Sequence, residues 1–84
     1  MTEIITGRNP VREALRAGRA LNKILLAFNL EGQTIRDIIS LARSQGVPLQ
    51  RVDRQFLDKM VTGRHQGVVA LAAAREYVEV ADLL

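Results

Sequence analysis

Arg8, Asn9 and Arg12 near the start of the chain, and Arg64, His65 and Gln66 near its end, are the residues whose types and spacing could do chemistry. Each group sits in a polar stretch bounded by glycine: Gly7-Arg8-Asn9-Pro10-Val11, and Thr62-Gly63-Arg64-His65-Gln66-Gly67-Val68. Glycine lets backbone amides approach a ligand closely. Arginine offers a planar fork for anionic oxygens. Amide and imidazole groups add neutral donors and acceptors. This is equipment for gripping a polar, anionic polymer, and the stretches are expected to bind as one surface if the fold brings them together.

Bond-breaking chemistry finds little support. With no cysteine and one histidine there is no thiolate metal site, disulfide framework or imidazole cluster. No Gly-x-Gly-x-x-Gly or P-loop is present. His65 lacks a carboxylate or nucleophile placed by the sequence to orient or exploit it, so neither a catalytic nor a metal-ligating residue is assigned. The 84 residues make one small domain. Twelve Lys+Arg against nine Asp+Glu give a net charge of +3, which suits an anionic partner. Arg8, Arg12, Arg16, Arg19 and Lys23 crowd the first quarter, opposed there by Glu3 and Glu13. No apolar run reaches the length of a membrane span and no signal-peptide segment is evident, so the expectation is a soluble, cytoplasmic protein without membrane contact.

The elements that must hold these stretches alternate between strand and helix. Ile4-Ile5 reads as a first strand ending at Thr6-Gly7. Asn9 is expected to cap a helix whose first turn holds Pro10, with Val11, Ala14 and Leu15 inward and Gly18 as the stop. Lys23 to Phe28 is an unbroken apolar run, expected to be a strand covered on both faces. A second helix spans about Thr34 to Gln45, with Thr34 and Asp37 resembling a capping box. Leu49 to Val52 follows as a strand. Asp53 is a plausible cap for a third helix burying Phe56, Leu57, Met60 and Val61, and Val68 to Ala74 is the last strand. The alternation predicts an α/β sandwich with a mostly parallel or mixed sheet. If the last strand lies antiparallel beside the first, the two glycine-bounded loops become one surface.

The start of the Pro10 helix could hold a phosphate on its backbone N–H groups, with Arg8 adjacent and Arg12 one turn on. A plainer reading has Asn9 only capping and the arginines only solvating their helix; it weighs as much as binding for Arg16 and Arg19, and less for Arg8. In the second loop, His65 and Gln66 could donate to bases or ribose hydroxyls, the features that proteins read in RNA loops. A bland turn would explain Gly63 and Gly67 but not Arg-His-Gln between them. Phe56 and Met60 are expected in the core, and Tyr77 either stacks on a base or packs the tail. So few aromatics argue against a stacking platform, and phosphate and ribose contacts are expected to dominate.

Gly7-Arg8-Asn9-Pro10-Val11 through Glu13-Ala14-Leu15, the strand ending Leu26-Ala27, and His65-Gln66-Gly67-Val68 before an alanine-rich strand resemble the N-terminal substrate-binding domain of SpoU/TrmH-family RNA 2'-O-methyltransferases. The bacterial large-subunit rRNA guanosine-2'-O-methyltransferases are the nearest in pattern. The resemblance implies a three-layer α/β/α sandwich with a four-stranded mixed sheet, like that of kink-turn-binding ribosomal proteins. It further implies that Gly7, Arg8, Asn9, Pro10, Arg12, Gly63, Arg64, His65, Gln66 and Gly67 bind structured RNA, with large-subunit rRNA as the expected target. S-adenosylmethionine would belong to a knotted C-terminal catalytic domain outside this chain, through which the parent would be homodimeric. Residues 1–76 are then the RNA-binding domain and 77–84 the start of a linker, consistent with the apolar ending Val80-Ala81-Asp82-Leu83-Leu84. Kink-turn proteins carry Gly-x-Asn-Glu followed by a lysine three residues on; Pro10 and Glu13 replace the glutamate and lysine, so their tight kink-turn binding is not carried over. The alternatives are a free-standing RNA-binding protein of ribosomal type and a protein-interaction module.

Overall fold

The computed structural model describes residues 2–73, in the order β1 (Thr2–Thr6), α1 (Arg8–Arg16), β2 (Leu21–Ala27), α2 (Gln33–Gln45), β3 (Leu49–Val52), α3 (Arg54–Met60) and β4 (Val68–Ala73). The proposed tail features at Ala74, Tyr77 and Val80 to Leu84 lie outside the described residues. The strands form a four-stranded sheet in the order β1-β4-β2-β3. β4 runs antiparallel to both β1 and β2, and β3 pairs parallel with β2. It follows that β1, β2 and β3 all point one way and end on one rim of the sheet. All three helices therefore start at that rim.

Alternation along the central strands divides the core into two layers. Ile24 and Leu26 of β2 with Val68, Ala70 and Ala72 of β4 meet Val11 and Leu15 of α1 and Ile35, Ile38 and Ala42 of α2. Leu25, Ala27 and Val69 point the other way and meet Leu57 of α3. Helices thus cover both faces, which makes the α/β/α sandwich. A central strand buried on both sides needs the near-continuous apolar run that β2 has. The helices end as their glycines predict: Gly18 and Gly46 take left-handed conformations at φ 73° each. In both, the glycine N–H and the next N–H return to carbonyls of the last turn: Gly18 to Leu15, Arg19 to Ala14, Gly46 to Arg43 and Val47 to Ala42.

Four local expectations are corrected. Gly7, not Asn9, precedes the first helical residue, and Asn9 accepts a bond from Arg12 instead of capping. Gly32 precedes α2, and Asp37 accepts from the Gln33 side chain and from Arg12, so Thr34 and Asp37 form no capping box. Asp53 does stand at the N-cap of α3, but its side chain makes no capping bond. Phe28 and Phe56, expected inside, are about half exposed.

Candidate nucleic-acid interface

The rim where β1, β2 and β3 end gathers both glycine-bounded loops. Thr6 pairs with Val69, and the Gly7 N–H donates to the Val68 carbonyl at 2.9 Å, so the first loop leaves β1 directly beside the point where the second enters β4. A side chain then ties them: Gln66 Oε1 accepts from the Arg8 N–H at 3.0 Å across 58 residues of sequence. Because the donor is a backbone N–H, the amide orientation of Gln66 is fixed. Gly7 adopts φ 99°, a conformation that favours glycine, and a Cβ there would stand in ordinary contact, 3.4 Å from Gln66 Oε1 and from the Pro10 ring.

This arrangement narrows what the start of α1 can offer an anion. The Arg8 N–H is used by Gln66, Pro10 has none, and the Val11 N–H bonds to the Gly7 carbonyl at 3.2 Å. That leaves the Asn9 N–H as the one amide of the turn with no bond assigned among the described residues, so the expected cradle of several amides is reduced. Arg12 is likewise committed. Its guanidinium lies 3.4 Å from Asp37 of α2 and 3.3 Å from the Asn9 side chain, which makes it a brace between α1 and α2 rather than a free phosphate contact. Asp37 is held below the ordinary carboxylate range, first by the Gln33 hydrogen bond and then by Arg12. Arg8 differs: its Nε is buried with no hydrogen-bond partner, and among the described residues its guanidinium makes no ion pair. Arg12 Nε is also buried without a hydrogen-bond partner, although the Nη atoms of Arg12 are engaged.

In the second loop the structure separates residues that sequence grouped together. His65 is 3% exposed, and both ring nitrogens are engaged. Nδ1 accepts from the Gly67 N–H at 2.9 Å, so it carries no proton; Nε2–H therefore donates to Asp58 of α3 at 2.6 Å. An imidazole so engaged has no lone pair or donor left for a ligand. The expectation that His65 contacts RNA is corrected: it bolts the loop to α3. Asp58 is the functional partner that sequence reasoning missed; the only signal was an acid seven residues before the histidine, a spacing with no local meaning across a helix end and a turn. Arg64 and Gln66 are exposed, as is Gly63, whose Cβ position faces open space at φ 87°. Gly67 is opposite in character. At φ 75° the backbone calls for glycine, and an added Cβ would also press on Leu30 at 3.0 Å and Ala27 at 3.3 Å.

The cations crowded in the first quarter are split by the fold. Arg16, Arg19 and Lys23 lie toward the far end of the sheet, engaged with Glu13, Glu3 and Gln50 respectively. Arg43, in the last turn of α2, is also far from the rim. Arg8 and Arg64 stay at it, joined by Arg51 and Arg54 from the end of β3 and the start of α3. Among the described residues no group of three or more His, Cys, Asp or Glu could hold a metal, and no helix is long and apolar enough to cross a membrane.

A family model described as RNA 2'-O ribose methyltransferase substrate binding matches residues 4–78. The chain belongs to this SpoU substrate-binding family. It is 46% identical over 81 residues to the Bacillus subtilis protein named "Putative TrmH family tRNA/rRNA methyltransferase YacO", covering 96% of this chain and 32% of that protein. A Staphylococcus epidermidis protein of the same family name is 41% identical over 81 residues, again 96% of this chain and 32% of that one. This SpoU-family chain thus spans about a third of the length of these relatives. In fold it resembles a Bacillus halodurans protein of unknown function, with TM-score 0.69 at 21% identity, covering 84% of this chain and 72% of that chain. It also resembles part of the archaeal translation termination factor aRF1, with TM-score 0.59 at 20% identity, covering 82% of this chain and 19% of that chain.

Proposed function

We propose that this SpoU-family chain is the RNA-docking part of a ribose 2'-O-methyltransferase, gripping structured RNA, with large-subunit rRNA as the target class, on the rim formed by the Gly7–Asn9 and Thr62–Gly67 loops. The observation that carries this reading is the Gln66–Arg8 bond, which joins the loops into one surface beside an arginine whose Nε is buried and unpaired. A buried N–H without a partner is costly, and a phosphate oxygen is the acceptor that an RNA would bring. Family membership supports RNA as the substrate, and large-subunit rRNA is the narrower part of the proposal.

The contribution to catalysis is positioning: a docked hairpin presents its ribose hydroxyl to a catalytic domain elsewhere in the parent protein. S-adenosylmethionine would supply the methyl group from that domain. The hollow between α1 and α2, lined by Arg16, Asp37, Ser40 and Leu41, has no aromatic wall for an adenine, and no step is assigned to the cofactor here. The plain test is titration with an rRNA hairpin at one salt concentration. Arg8→Ala and Arg64→Ala should each weaken binding by about 1 kcal/mol, the scale of a charge-assisted contact, while Arg43→Ala at the far end changes little. Equal losses at all three positions would mean diffuse electrostatics and no docking surface.

A further inference from the structure

We infer that Phe28 and Phe56 form an aromatic extension of this rim that stacks unpaired nucleobases, a proposal that rests on reading the rim as the RNA-docking face. They are the chain's only two phenylalanines, and their exposures are 54% and 49%. Phe28 leaves β2 immediately after Ala27, and its N–H donates to the Val52 carbonyl at 3.1 Å, beside the end of β3. Phe56 lies in the first turn of α3, its N–H on the Asp53 carbonyl at 3.0 Å. Phe28 thus follows the end of β2, and Phe56 lies in the first turn of α3 just beyond the end of the neighbouring β3, on the rim that holds Gly7 and Gln66.

The core does not account for them. The layer under α3 is closed by Leu25, Ala27, Leu57 and Val69 with Val52, Met60 and Val61 packed around it, and neither phenylalanine belongs to it. Charge favours RNA as the occupant. Arg51 and Arg54 are exposed on either side of the β3–α3 junction, and Arg51 Nη1 donates to the Ala27 carbonyl at 3.0 Å, fixing a cation next to Phe28. Aromatic faces set among guanidinium groups, continuous with backbone-binding loops, are what single-stranded RNA uses for base stacking. This revises the expectation that phosphate and ribose contacts dominate.

The test uses this chain with an RNA hairpin carrying an unpaired loop, and with a fully paired duplex of the same stem. Phe28→Leu and Phe56→Leu keep apolar bulk but remove the π-face, Phe28→Tyr keeps the face, and Arg64→Ala reports on the docking reading itself. Each leucine variant should bind the hairpin at least about fivefold more weakly, with Phe28→Tyr close to the parent chain and duplex binding unchanged. Leucine variants that bind the hairpin normally while Arg64→Ala does not would overturn stacking and leave the docking surface standing. A neutral Arg64→Ala as well would remove both. Equal losses on hairpin and duplex would overturn stacking. So would leucine variants that bind RNA as before but lose a concentration-dependent self-association, which would assign the rings to a protein contact.

Discussion

His65 offers the sharpest check on how the binding loop is built, because its two hydrogen bonds differ in burial and can be removed separately. The Nδ1 bond satisfies the buried Gly67 N–H at 2.9 Å, whereas the Nε2 bond reaches a carboxylate whose side chain is 60% exposed. Asp58→Ala removes only the second, and a charge partner that water solvates so well should cost no more than about 1 kcal/mol. In His65→Asn the amide oxygen stands near the position of Nδ1, so the Gly67 bond can persist while the reach to Asp58 is lost. His65→Ala removes both and strands the Gly67 N–H, which adds about 1–3 kcal/mol beyond the asparagine variant. Urea unfolding at constant m-value, or melting followed by circular dichroism, reads the series; each kcal/mol corresponds to about 4–8 °C in a domain of this size. The expected order is Asp58→Ala mildest, His65→Asn intermediate and His65→Ala worst. If His65→Ala matched Asp58→Ala, or if asparagine gave no rescue over alanine, the Gly67 bond would not be what holds the loop.

Gly67→Ala should cost about 2–5 kcal/mol, combining a left-handed backbone with a Cβ driven into Leu30 and Ala27, while Gly63→Ala, in open space, should cost only the backbone part of about 1–2 kcal/mol. Denaturation midpoints compare them; equal losses would refute the packing role. For Asp37, the lowered carboxyl pKa means that its bonds to Gln33 and Arg12 stabilise the fold above the unfolded carboxylate pKa and are lost as pH falls through the lower, folded value. Asp37→Asn should therefore melt below the parent chain at neutral pH, with the gap closing in strong acid. A gap that persisted unchanged into acid would show that the charge of Asp37 is not the source.

Elements whose cause is local were legible in the sequence. The apolar run of β2, the helical spacing of Val11, Ala14 and Leu15, and the glycine stops at Gly18 and Gly46 all reflect neighbours a few residues apart; the strand runs Leu21–Ala27, starting two residues before Lys23 and ending before Phe28, and the helix and the stops lie where expected. So does the pairing of the last strand beside the first, because an apolar central strand has few other places to go. What failed was the assignment of polar groups. Asn9, Thr34 and Asp37 carry the right chemistry for capping, but Arg12 and Gln33 compete for Asn9 and Asp37 from positions that no local pattern reveals. Hydrophobicity alone puts Phe28 and Phe56 inside. Burial depends on what lies opposite, and the layer under α3 is filled by smaller side chains.

The same distinction explains why the second loop carries three polar residues between its glycines. His65 fastens it to Asp58 of α3 on one face of the sheet, and Gln66 fastens it to Arg8 of α1 on the other. The loop therefore bridges the two helical layers over the rim, with Gln66 held at φ 51° and Gly67 at φ 75° to make the turn between the two fastenings. Arg64 stands immediately before them, exposed and, among the described residues, without an ion-pair partner. A charged side chain presented from a bolted loop loses less backbone freedom on binding than one on a free loop, so more of its contact energy remains as affinity. On this argument His65 and Gln66 act on binding through Arg64 and Arg8. Loosening either fastening should weaken RNA binding even though the His65 ring is buried and spent on its two bonds.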